Sequence, residues 1–140
     1  MKYVMTTLAL IVAAATVSGQ SGPTNLLIGA WKVESAQPGL YVFTKQHYSF
    51  ARIQGDKPLP DYPSNDKATE ADKAAVFNAL YLNTGTYTVT GNMLATKAMV
   101  AKSKFAIGGA GNQYEFAING SSLTLTQKPS GAVLKLTRLE

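Results

Sequence analysis

Apolar and polar positions alternate with a period of two along most of this chain, in short runs separated by turn residues. Three of these runs fold back on themselves as hairpins. With Lys45-Gln46 as a loop, Phe43 faces Tyr48, Val42 faces Ser49 and Tyr41 faces Phe50. Directly opposed residues share a sheet face, so four aromatic rings gather on one side and smaller residues on the other. A turn at Gly91-Asn92 pairs Val89 with Leu94 and Tyr87 with Thr96, leaving Thr88, Ala95, Thr86 and Lys97 on the wetter face. Asn119-Gly120 predicts a type I′ turn, which brings Phe116 to Leu123 and Tyr114 to Leu125. The closing run, Val133 to Leu139, sets Leu134, Leu136 and Arg138 against Lys135 and Thr137. Such alternation marks antiparallel sheet with one solvated face.

One segment breaks the pattern. Lys57 to Pro63 holds three prolines and reads as an extended loop. After it, Thr69-Glu70-Ala71-Asp72 resembles a capping box, and Ala74, Phe77, Leu80 and Tyr81 fall on one helical face. The spacing predicts a helix over about 66–82 that plugs or lids one end of the sheet. Counting from Gly29, the strands number about eight, the number at which a closed barrel is either just filled or holds one small ligand. The fold expected is an all-β, eight-stranded antiparallel up-and-down barrel with one helix.

The start of the chain follows another logic. Met1-Lys2 precedes an apolar run from Val4 to Ala15, and Val17 and Gly19 stand at the −3 and −1 positions of a cleavage before Gln20. This is the layout of a secretory signal peptide over residues 1–19, with a single domain over 20–140. About a dozen apolar residues are too few to cross a bilayer core of about 30 Å, so no stable membrane anchor is expected. The chain has no cysteine, which excludes disulfides and leaves the fold to its core alone. An exported protein, periplasmic or secreted, fits both features. Beyond Lys2 there are 12 basic residues against 8 acidic, scattered except for a mild cluster at Lys97, Lys102 and Lys104. Nucleic-acid binding would need a concentrated basic stripe with interleaved aromatics, which the sequence lacks.

Few residues carry candidate chemistry. Arg138 shares an inner face with leucines, where an unpaired charge is costly. Trp31, inward on the first strand, can cover its guanidinium if the first and last strands are neighbours. Gly29, Trp31 and Arg138 are therefore the expected closure of the barrel. Arg52 follows Tyr48 and Phe50 on the aromatic face near the mouth, where it either clamps a carboxylate or extends out of the rim. His47 is the only histidine and sits beside a turn on the smaller face with Ser49, a poor setting for a Ser-His-Asp site. One histidine and scattered aspartates match no metal-ligand spacing, and no cofactor is implied. Gly108-Gly109-Ala110-Gly111 leads toward a strand, not a helix N-terminus, so it is read as a hairpin connection and not a phosphate loop.

The runs Gly29-Ala30-Trp31-Lys32-Val33, Pro38-Gly39-Leu40-Tyr41-Val42-Phe43-Thr44 and His47-Tyr48-Ser49 resemble the bacterial and fungal lipocalin-like domain proteins. The similarity continues through Asn83-Thr84-Gly85-Thr86-Tyr87 and from Leu123-Thr124-Leu125-Thr126 to Arg138. The resemblance implies a calycin-type barrel and small apolar ligands. Leu59-Pro60 stands where relatives carry Arg-Pro, and the Thr-Asp-Tyr motif of true lipocalins is absent.

The expected function is binding of a small hydrophobic molecule inside the barrel, without covalent chemistry. Tyr41, Phe43, Tyr48, Phe50, Arg52, Tyr87, Tyr114 and Phe116 form the expected lining, with tyrosine hydroxyls as orienting donors. In this picture a carboxylate meets Arg52 while an acyl tail runs past Tyr87 and Phe116. Two alternatives stay open: a cyclase or isomerase acting on an apolar substrate in the same barrel, and a solidly packed envelope interaction module. An interior cavity of about 300 Å³ or more separates the ligand readings from the last.

Overall fold

The computed structural model describes residues 26–140; the leader and the cleavage before Gln20 that the sequence suggests fall outside the described residues. Eight strands follow one another around a closed antiparallel barrel in chain order. They are β1 (Gly29–Val33), β2 (Gly39–Phe43), β3 (His47–Ile53), β4 (Leu80–Thr90), β5 (Met93–Ala101), β6 (Asn112–Asn119), β7 (Ser122–Lys128) and β8 (Val133–Arg138). The one named helix, α1 (Glu70–Ala79), interrupts the sequence between β3 and β4.

The first two hairpins have the registers that alternation predicts: Tyr41 faces Phe50, Phe43 faces Tyr48, Tyr87 faces Thr96 and Val89 faces Leu94. The third differs by two residues. Phe116 pairs with Leu125 and Ile118 with Leu123, while Asn119 stays in the ladder opposite Ser122. The loop is thus Gly120-Ser121, with Gly120 at φ 57° and no non-glycine residue at positive φ among the described residues. Glycine at the first central position gives a type II′ turn, which spares asparagine the left-handed region that type I′ demands of it. A shift of two keeps every side chain on its expected face.

The helix is shorter than predicted. Its capping box is present, with Thr69 Oγ1 accepting from Asp72 N–H at 3.1 Å and Asp72 Oδ2 accepting from Thr69 N–H at 2.9 Å. Residues 66–68 precede that cap, and Leu80 to Leu82 belong to β4, where they pair with Ile53, Arg52 and Ala51. Ladder hydrogen bonds to β3 outweigh the helical spacing of Leu80 and Tyr81. No residue of α1 is buried, so it lies along the outside and does not plug the barrel.

Closure occurs where predicted. Trp31 pairs with Arg138 across β1 and β8, and the guanidinium carbon lies 4.0 Å from the ring centroid. Arg138 Nη1 donates to Ile28 O at 2.9 Å, and Nη2 donates to Leu26 O. Trp31 Nε1 donates to Leu27 O at 2.8 Å, and the side chains of Trp31 and Leu27 are fully buried. Gly29 has φ 134°, and a Cβ there would lie 2.2 Å from Glu140 O. Only glycine fits this joint. Above it, Val33, Phe43, Phe50, Leu94, Phe116, Leu123, Leu125 and Leu136 fill the barrel.

Candidate functional site

The barrel is packed at the Trp31 end and open at the other. Period-two alternation along β4 turns Tyr81, Asn83, Gly85 and Tyr87 inward, and the same rule brings in Asn112 and Tyr114 from β6 and Leu125 and Gln127 from β7. Around the mouth, Tyr41, Arg52, Tyr81, Asn83, Tyr114, Leu125 and Leu134 line a cavity of about 350 Å³, completed by the amides of Gln54, Asn112 and Gln127. A second cavity of about 160 Å³ adjoins it through Asn83, Ala106 and Asn112, and reaches beneath the loop from Lys102 to Gly111. That loop crosses a gap in the wall, because β5 and β6 pair only over Met93–Thr96 and Asn112–Glu115.

The predicted lining residues divide between floor and cavity. Tyr41, Arg52 and Tyr114 border the larger cavity, and Tyr48 borders the smaller one. Phe43, Phe50, Tyr87 and Phe116 lie in the packed core. Phe50 stacks on Tyr41 with centroids 4.0 Å apart and meets Phe43 edge-on at 5.3 Å; Phe43 in turn meets Tyr87 edge-on at 5.4 Å. These rings form a floor. The route that the sequence suggested for an acyl tail past Tyr87 and Phe116 is filled by side chains, as close packing of aromatics at this barrel size requires.

Arg52 is the electrostatic centre of the mouth. Its Cβ faces Gly39 across the β2–β3 ladder, where any larger residue would come within 2.8 Å of it. The guanidinium lies 5.3 Å from the Tyr81 ring centroid. Its Nε is buried and has no hydrogen-bond partner. The ion pairs among the described residues join Lys67 to Asp66, Lys73 to Glu70 and Lys128 to Glu115, so no carboxylate pairs with Arg52. A buried guanidinium N–H without an acceptor is an unmet demand for an anion or a carbonyl.

The tyrosines around it are kept neutral. Burial pushes the hydroxyls of Tyr41 and Tyr114 far above the ordinary phenol value; the Arg52 charge opposes this at Tyr41, and Tyr81 adds to it at Tyr114. Burial also raises Tyr48 and Tyr87. Two of these hydroxyls are already engaged. Tyr48 donates to Asn83 Oδ1, and Tyr87 donates to Thr44 O at 2.6 Å. The mouth thus combines one unpaired cation, neutral phenol donors, carboxamides and two leucines. It is suited to bind and orient a ligand.

Tyr81, Asn83, Asn112 and Gln127 were not predicted for the site. Tyr81 was hidden by its assignment to the helix, whereas extending the alternation of Tyr87 back through Asn83 recovers it. His47 and Ser49 are exposed on the outer face. No helix among the described residues is long and apolar enough to cross a membrane. No family model matches this chain, and neither does a curated protein or a solved structure.

Proposed function

We propose that this barrel is an exported carrier of a small molecule with a mostly apolar, ring-bearing body and one anionic group. The carrying observation is the cavity of about 350 Å³ that joins Tyr41, Tyr81, Tyr114, Leu125 and Leu134 to an unpaired Arg52. Its volume falls at the small end of ligand sites, and its mixture of apolar walls with a few converging polar groups is their usual composition. The aromatic floor limits the ligand to the mouth. A compact ring system therefore fits better than the long acyl tail suggested by the sequence. Arg52 supplies a planar fork for a carboxylate or sulfonate, while the phenols and carboxamides give direction to its other polar atoms.

Paired fluorescent probes test this reading. Anilinonaphthalene sulfonate and the neutral phenylnaphthylamine share an aromatic body and differ in charge. Arg52→Met is expected to weaken the sulfonate about tenfold, the scale of one charge-assisted hydrogen bond, and to leave the neutral probe unchanged. Leu134→Trp, which fills the mouth, is expected to abolish both. Binding of both probes that survives Leu134→Trp in a folded protein overturns the site, and equal weakening of the two by Arg52→Met overturns its role in charge recognition. Intact mass of the exported chain tests the leader: a start at Gln20 supports export with cleavage, and retention of Met1 refutes it.

A further inference from the structure

A second region of the surface lies outside the mouth, on the outer side of the loop that covers the smaller cavity. From Lys73 to Tyr114 the chain has no aspartate or glutamate, yet it carries Lys97, Lys102 and Lys104, while Lys73 is paired with Glu70 of α1. The same stretch exposes Phe77, Met99, Val100, Phe105 and Ile107, with Phe105 83 % exposed. These residues come from α1, the outer face of β5 and the loop after it, and the fold brings them together. Lys102 Nζ donates to Phe77 O and Asn78 O at 3.1 Å and lies 5.2 Å from the Phe77 ring centroid. Ile107 bridges to Ala98 of β5, and Lys104 Nζ lies 5.3 Å from the Phe105 ring centroid.

A bulge sharpens the patch. The β4–β5 register shifts between Thr84 and Gly85, so that Gly85 pairs with Ala98 and Thr84 with Val100. Met99 is the extra residue, and it and Val100 are both exposed where strict alternation would turn one of them inward. At Gly85 a Cβ would lie 2.0 Å from Lys97 O, so the backbones approach closely there. The bulge therefore adds an exposed apolar pair between Lys97 and Lys102.

We infer that this face docks reversibly on a bilayer surface rich in anionic lipid, with Phe105 inserted and Lys97, Lys102 and Lys104 among the headgroups. Charge complementarity selects the occupant. A second copy of the same face would oppose Lys97, Lys102 and Lys104 to the same three lysines, none of which is neutralised by an ion pair among the described residues. All the cations are lysines, compact point charges suited to a diffuse anionic layer and lacking the planar fork used for bidentate recognition. Long lysine stems beside exposed aromatic rings match the water–membrane boundary, where the ammonium stays wet and the ring does not.

Sedimentation with vesicles tests it, using the protein recovered from its exporting host with its N-terminus established by mass. Vesicles of equal phosphatidylglycerol and phosphatidylcholine should bind the protein, and phosphatidylcholine alone should not. Lys97→Gln with Lys104→Gln should weaken partitioning by about 25-fold, from about fivefold for each lysine on an anionic surface. Phe105→Ser should weaken it about tenfold. Lys102 is left intact because it caps α1. Lys45→Gln with Lys135→Gln removes the same charge elsewhere and should have little effect. Salt that shortens the Debye length from about 30 Å to about 3 Å should release the protein. Failure to bind anionic vesicles overturns the inference. So does salt-insensitive binding that survives both patch variants, or equal loss in the Lys45 and Lys135 control. Retention on nucleic acid without vesicle binding also overturns it. None of these results depends on the mouth cavity, whose probe binding is measured separately.

Discussion

Replacing Arg138 by methionine removes the clasp between the first and last strands while keeping a flexible apolar stem of similar reach. Three contacts disappear: the cation over the Trp31 ring at 4.0 Å and the donations to Ile28 O and Leu26 O. A partly desolvated cation–π contact contributes about 1 kcal/mol. Hydrogen bonds from a charged donor contribute about 1.5–3 kcal/mol when buried. Arg138 is only half-buried, so about 1 kcal/mol for each is the appropriate scale. The expected loss is therefore about 3 kcal/mol, a large share of the 5–15 kcal/mol that holds a domain together. Urea unfolding followed by tryptophan emission measures it cleanly, because Trp31 is the only tryptophan, is fully buried, and lies at the joint being loosened. The slope against urea should stay unchanged, since the same surface is exposed on unfolding. Arg138→Lys should lose about half as much, because one ammonium cannot stack on the ring and serve both carbonyls. A loss below about 1 kcal/mol for Arg138→Met would refute the argument and assign closure to the strand ladder alone.

Gly29→Ala should cost at least about 3 kcal/mol, combining a φ of 134° with a Cβ 2.2 Å from Glu140 O, whereas Gly120→Ala, at φ 57° in open space, should cost about 1 kcal/mol; thermal unfolding of the pair decides. Alkaline pH should destabilise the fold. Tyr41, Tyr48, Tyr87 and Tyr114 ionise at higher pH when folded than when unfolded, so their contribution is complete below about pH 10 and is lost as pH rises beyond it. Near-ultraviolet absorbance should show their ionisation delayed until unfolding, and early ionisation of Tyr41, Tyr48, Tyr87 and Tyr114 in the folded protein would contradict the burial described.

The barrel was legible because its information is local and repeats every two residues. Tyr41 opposite Phe50 and Tyr87 opposite Thr96 follow from a turn position and alternation alone. The Trp31–Arg138 contact followed from one charged residue on an otherwise apolar face. Where two local signals competed, the sequence misled: Leu80 and Tyr81 satisfy both a helical face and a strand, and only pairing with Ile53 and Arg52 decides between them. That choice hid the site, since Tyr81 and Asn83 lie on the strand so gained. The division of the aromatic rings into floor and wall was not legible either, because it depends on depth along the barrel axis. Alternation says which side a ring faces and says nothing about how far down it sits. The segment from Lys102 to Gly111 has no periodicity at all, so its position over the β5–β6 gap came only from the structure.

The contact between Trp31 and Arg138 also imposes an order in time. Each of the other ladders joins strands consecutive in the chain, so a hairpin can form soon after its second strand is synthesised. The β1–β8 ladder joins positions 31 and 138, and Ala30 N–H reaches Glu140 O. Until β8 has been synthesised, Trp31 lacks its cover and β1 lacks its β8 partner. At about 5–20 residues per second, the stretch between Trp31 and Arg138 takes several seconds or more to synthesise. Separating the two halves of the clasp by about a hundred residues therefore delays closure, and the unpaired edges leave the chain vulnerable to aggregation over the same seconds.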